Sequence, residues 1–148
     1  MTKLSNAMEI LPLSDICAQQ NPNAADQRRR LLKLLKAGAN IHATDKNGVT
    51  ALHHAVRFRS PVAVETLIEH GANVNQVCRK SGSTPLHRAV TTTGAPSTAG
   101  KRQEAFEIIR LLIAAGADPS ITNKSRRKPA DYVKDDAIKS LLKSPRQK

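Results

Sequence analysis

Aromatic residues are almost missing from this 148-residue chain: Phe58, Phe106 and Tyr132 make up 2% of it, and there is no tryptophan. A core must therefore be aliphatic, and a site built on stacked rings is not expected. Cysteine is scarce. Cys17 and Cys78 are too few for a disulfide framework, which fits a reducing compartment. No apolar run has the length of a membrane span, since Arg110 interrupts the best candidate, Ile108 to Ala117. The first ten residues, MTKLSNAMEI, lack the apolar stretch of a secretory signal. Acidic residues number 12 against 24 Lys and Arg, a formal charge of +12. What is present is a 39% hydrophobic share, too high for a disordered chain, in a length that suits one domain. The expectation is a soluble, cytoplasmic single domain, with a nuclear location or bacterial export as alternatives.

The chain repeats itself. LLKLLKAGANIHATDKNGVTALHHAV is followed by VETLIEHGANVNQVCRKSGSTPLHRAV and then by IIRLLIAAGADPSITNKSRRKPADYV. Gly38 and Gly71 are 33 residues apart and Thr50 and Thr84 are 34 apart. Gly71 to Gly116 is 45, one period plus 12, and the surplus maps onto TTTGAPSTAGKR, Thr91 to Arg102, a Thr-, Gly- and Pro-rich loop. In TPLH, Thr84 supplies a helix-capping hydroxyl ahead of Pro85 at the first helical position, where a missing N–H costs nothing. Leu86, Ala89 and Val90, like Leu52, Ala55 and Val56, give a short helix an apolar face. A second helix follows through Val64, Leu67 and Ile68, or Ile108, Leu111 and Leu112. Gly71 and Gly116 stand where such a helix ends in a left-handed residue. Two short helices cannot bury an apolar face alone, so the units must stack.

The pattern D-x-x-G-x-T-P-L-H-x-A, then L-L or L-I, then G-A-x-x-N, resembles the ankyrin repeat. It reads here as DKNGVTALHHAV with LIEHGANVN, and as SGSTPLHRAV with LLIAAGADPS. The resemblance implies an all-α ankyrin-repeat solenoid over residues 10–143. Its cap unit covers about 10–43, a second unit 44–77, and a third 78–121 with loop 91–102 inserted. A C-terminal cap unit covers 122–143, between an extension 1–9 and a frayed tail 144–148. Pro12 and Leu13 open the first helix through Cys17, QQNPNAAD forms a turn, and Arg28 to Lys36 forms the second helix. The last unit departs from the pattern, with Arg126 in place of Gly48 and Gly82, Lys128 in place of Thr50 and Thr84, and Asp131 in place of a histidine.

Catalytic chemistry is not indicated. In the family that the chain resembles, histidines placed like His53 and His87 bond to backbone and to the cap threonine of a neighbouring unit, a structural role. The histidine and cysteine spacings match no zinc pattern, so no metal is expected. Cys78 lies beside Arg79 and Lys80, which would favour its thiolate, but no oxyanion motif accompanies it. The glycines form no phosphate-binding loop, and no cofactor is expected. The expectation is a protein that is not an enzyme.

Binding is the better reading. The resemblance implies a concave partner face made by the turn tips and the first helix of each unit. Mapped by position, that face holds Lys46, Asn47, Val49, Arg57, Phe58 and Arg59 in the second unit, Lys80 and Ser83 in the third, and Lys124 and Arg127 in the fourth. Phe58 is open to two readings, an interface anchor between Arg57 and Arg59, or a ring packed on a neighbouring element. Charge is uneven: residues 1–74 hold 9 basic and 6 acidic groups, residues 75–148 hold 15 and 6. Arg28 to Arg30 read as a solvated helix face, whereas KSRRK, Lys124 to Lys128, lies on a turn tip on the same side as Lys46 and Lys80. The expectation is a monomeric, non-catalytic interaction module that offers a basic concave face to an acidic protein partner, as an adaptor or inhibitor. The alternative is a sequence-independent nucleic-acid-binding accessory protein.

Overall fold

The computed structural model describes residues 13–18, 23–91, 102–133 and 135–143. The extension 1–9, the opening Pro12, residues 92–101 of the inserted loop and the tail 144–148 lie outside the described residues. Helix α1 (13–17) and α2 (Ala24–Lys36) make the first unit, α3 (Ala51–Arg57) and α4 (Pro61–Glu69) the second, and α5 (Pro85–Val90) and α6 (Arg102–Ala114) the third. A 3₁₀ turn (Pro129–Tyr132) and α7 (Asp136–Lys143) make the fourth. The packing has two layers: α3 lies on α5 and α5 on the 3₁₀ turn, while α2 lies on α4, α4 on α6 and α6 on α7.

The aliphatic core runs continuously between the layers, as stacking requires. Leu52, Ala55 and Val56 of α3 and Leu86, Ala89 and Val90 of α5 are all buried, facing Val64, Leu67, Ile108 and Leu112. Gly71 and Gly116 follow the long helices with φ of 94° and 100°. In both, the next amide reaches back five residues, Ala72 N–H to the Leu67 carbonyl at 3.0 Å and Ala117 N–H to that of Leu112 at 2.9 Å, closing the helix end.

Two expectations for the first unit are corrected. The second helix begins at Ala24 rather than Arg28, because the Asn23 side chain accepts the Asp26 N–H at 2.9 Å and caps it there. Arg28 is not part of a purely solvated face. Its guanidinium crosses to α4, donating to Thr66 Oγ1 at 2.9 Å and to Glu69 at 3.0 Å, while Arg29 and Arg30 are exposed. A buried Gln27 makes a second tie: its amide nitrogen donates to the Ile16 carbonyl at 2.8 Å and its oxygen accepts from Ser60, the cap of α4, at 2.6 Å.

Candidate functional site

The turn tips are positioned by the histidines below them. Thr50 caps α3 by accepting the His53 N–H at 3.3 Å, and His53 Nδ1 accepts the Thr50 N–H at 3.2 Å. With Nδ1 an acceptor, the ring proton sits on Nε2, which donates to the Ser83 carbonyl of the next unit at 3.2 Å. Thr84 and His87 repeat the arrangement, and His87 Nε2 donates to the Arg127 carbonyl at 2.9 Å. The cap threonine is thus each histidine's own, and the neighbouring unit contributes a carbonyl, a correction to the expected partner. Burial first, and the Arg88 charge second, push His53 down to about 4, so the ring stays neutral. Burial also holds His87 below its ordinary value.

At the tips themselves, Lys46, Lys80 and Lys124 occupy the same position, four residues before Thr50, Thr84 and Lys128, and all three are exposed. The same backbone bond joins each tip to the next: Lys80 N–H to the Asn47 carbonyl at 3.2 Å, then Lys124 N–H to the Ser81 carbonyl at 3.0 Å. Arg79 adds a guanidinium bond to the Lys46 carbonyl at 3.2 Å, and Lys124 Nζ donates to the Arg79 carbonyl at 2.5 Å. The tips form one row. Exposed charges along it change from Asp45 with Lys46, through Arg79 with Lys80, to Lys124, Arg126, Arg127 and Lys128. Burial works to raise the Asp45 pKa, but the Val49 and Asn47 amides, with His54 and Arg88, outweigh it and keep the carboxylate below its usual range.

Glycine is required in this row by contact. A Cβ on Gly48 would lie 2.5 Å from the Arg79 amide nitrogen, and one on Gly82 would lie 3.0 Å from that of Lys124. Arg126, in the equivalent place, keeps the left-handed turn with φ of 60°, against 78° and 71° for the two glycines. It is exposed, at the last described tip.

Two of the expected partner-facing residues face inward instead. Val49 is 6% exposed, packed beneath the tip. Arg59 is 7% exposed, because three residues must turn the chain from α3 into the Ser60–Pro61 start of α4, and Arg59 takes the left-handed conformation that this requires, φ 58°. Its guanidinium donates to the carbonyls of Val56 at 3.0 Å, Arg88 at 3.3 Å and Thr91 at 2.8 Å. These are C-terminal carbonyls of α3 and α5, so one buried cation closes both helix ends. The RSP sequence, with no glycine between helix and cap, was the available signal for this role.

The remaining positions sort plainly. Arg57 is exposed and lies 5.9 Å from the ring centroid of Phe58, which is half-buried at the end of α3. Lys46 and Lys80 reach solvent, Asn47 and Ser83 are half-buried, and Arg127 is exposed over Tyr132 at 5.8 Å. Asn123 Nδ2 in turn donates to the Tyr132 hydroxyl at 2.8 Å. Cys78 is not a surface thiol: it is 2% exposed, with Sγ 2.9 Å from Ser81 Oγ. Burial raises its pKa, but hydrogen bonds from Ser81 and Ser83 and the charge of Arg88, rather than the flanking Arg79 and Lys80, bring it below the ordinary thiol value. Among the described residues no three His, Cys, Asp or Glu side chains converge as metal ligands, and no helix is long and apolar enough to cross a membrane.

Comparison with known proteins agrees with this architecture. The family model described as ankyrin repeats (3 copies) matches residues 17–123. NF-kappa-B inhibitor delta of Mus musculus is 32% identical over 147 residues, covering 93% of this chain and 42% of that protein. Ankyrin repeat and SOCS box protein 6 of Homo sapiens is 36% identical over 103 residues, covering 61% of this chain and 24% of its own length. Among solved structures, the ankyrin repeat domain of Bcl-3, described as a unique member of the IkappaB protein family, has 32% identity and a TM-score of 0.65. It covers 80% of this chain and 47% of that one. The chain spans less than half the length of these relatives. With the repeat period, the stacked helix pairs and these matches in agreement, the chain belongs to the ankyrin-repeat family.

Proposed function

We propose that this chain is a protein-interaction module, without catalytic activity of its own, that presents its tip row and the exposed edge of α3 to an acidic protein partner. Ankyrin repeats are protein-interaction modules, and the observation that carries the finer reading is the row of equivalent, exposed lysines, Lys46, Lys80 and Lys124, on tips bonded to one another. Bonded tips fix the backbone that carries the charges before a partner arrives, so the ordering left for binding is that of the lysine side chains. Arg57, Phe58 and Arg127 extend the surface, with Phe58 as the apolar contact. A relative whose name makes it an inhibitor of NF-kappa-B supports inhibition by docking over a scaffold that only holds two partners together. Action as a monomer belongs to the same reading, as does a cytoplasmic location, which two free and buried cysteines support.

Immobilised protein, exposed to native lysate with and without nuclease, tests it against a double variant, Lys80→Glu with Arg127→Glu. Retention of a discrete acidic protein after nuclease, and its loss on the double variant, is expected. Unchanged retention on the variant would refute the basic contact. Loss of all bound material with nuclease would favour a nucleic-acid partner instead.

A further inference from the structure

The tip row has a pitch, and the pitch fixes what can lie along it. Packed helices sit about 8–10 Å apart, so equivalent positions of stacked units recur at about that interval. Because one backbone bond, Lys to Asn47 or to Ser81, is repeated at both junctions, Lys46, Lys80 and Lys124 follow that interval without a change of register. A polyproline II segment rises about 3.1 Å per residue with about three residues per turn, so every third side chain returns to the same face about 9 Å further on. From this match we infer that the tip row binds an acidic segment in the extended polyproline II form, with a carboxylate at every third residue, one for each of the three lysines. The inference rests on the interaction reading above and assigns the form of its ligand.

The row favours an extended chain over a helix. Beside each lysine stands a short polar residue, Asn47, Ser81 or Ser125, which leaves room for a peptide backbone. Helix-in-groove recognition needs apolar anchors. Among the described residues the one large hydrophobic side chain that is exposed is Val77, at 43%, and it is not in the row. Asp45 does not close the row to an acid, since its carboxylate turns back to accept the Asn47 N–H at 2.8 Å and the Val49 N–H at 3.1 Å. Lys124 gives one of its N–H groups to the Arg79 carbonyl and keeps two for a ligand.

The test uses the whole chain and two labelled peptides of identical composition, neutral Ser/Gly sequences with three glutamates. In one the glutamates stand at every third residue, in the other they are consecutive. Both carry the same charge, so long-range attraction is equal and only the register differs. Fluorescence anisotropy in moderate salt is expected to give about tenfold tighter binding for the spaced peptide, from two additional exposed ion pairs of about two- to fivefold each. Lys46→Ala, Lys80→Ala and Lys124→Ala should each remove about one such factor from the spaced peptide and less from the consecutive one. Equal affinities would overturn the register while leaving a basic contact in place. Absence of binding by both peptides, together with a lysate partner whose retention ignores Lys80→Glu, would overturn the interaction reading itself. Tighter binding of a single-stranded oligonucleotide than of the spaced peptide would also overturn the inference.

Discussion

The second and third units each meet a following unit; the fourth keeps the same turn and carries different residues at three matching places. Gly48 and Gly82 become Arg126, Thr50 and Thr84 become Lys128, and His53 and His87 become Asp131. The backbone logic survives the exchange. Asp131 still accepts the N–H of the residue before the turn, Lys128, at 2.8 Å, as each histidine does for its threonine. What Asp131 lacks is a ring N–H to send onward, and what Arg126 adds is a Cβ where the interior tips are in close contact with a neighbour. The motif therefore contains two sets of demands, one for closing a unit and one for joining it to the next. The fourth unit keeps the acceptor half of the first set, at Asp131, and neither feature of the second.

The sharpest way to break this contrast is to remove an interior histidine. His87→Ala should cost about 3 kcal/mol, leaving the Thr84 N–H and the Arg127 carbonyl without their buried partner. Asp131→Ala, an exposed capping loss, should cost only about 0.5–1 kcal/mol. Urea denaturation of the two variants tests the difference, and equal costs would remove the distinction between the two sets of demands.

Acid should separate the units by the same route. The folded His53 pKa, about 4, lies below its ordinary value of 6.5, so the unfolded chain binds the extra proton first. Its contribution is fully present above pH 6.5, falls as the pH drops from 6.5 towards 4, and changes no further below that. The loss is on the order of 3 kcal/mol over that window. His53→Gln keeps an acceptor and a donor but cannot titrate, so its stability should fall less steeply between pH 6.5 and 4 than that of the unaltered chain.

Glycine replacement gives a somewhat smaller effect of opposite sign at the two places. Gly48→Ala should cost about 2 kcal/mol, from left-handed strain together with the Arg79 contact. Arg126→Gly should stabilise the chain by up to about 1 kcal/mol, because it relieves strain where nothing needs the side chain for packing. Thermal midpoints moving in opposite directions would sharpen the contrast, and a fall in both would count against it.

Much of the architecture was legible because period, cap and apolar face agree. TPLH and its copy announced the short helices, and Gly71 and Gly116 announced where the long ones stop. Contacts between units were less legible. The inward turn of Arg59 depends on two helix ends arriving at one place, 29 and 32 residues apart in sequence from its bonded carbonyls at Arg88 and Thr91. Gln27 and Arg28 reach across a unit boundary in the same way, so composition alone made them look like ordinary polar residues of α2. By sequence Val49 reads as a face residue because its neighbours Lys46 and Asn47 sit on the tip, yet two positions further along the hairpin the side chain is buried beneath it.

The changing charge of the tip row also has a kinetic meaning. From the second unit to the fourth, the surplus of exposed cations over acids at each tip rises from none to two to four. An anion diffusing nearby meets a slope rather than a uniform field. It is drawn first to the fourth unit, already biased in orientation, and can settle along the earlier tips afterwards. Because surface fields fade over about 8 Å at physiological ionic strength, added salt should slow this arrival before it loosens a complex already in contact.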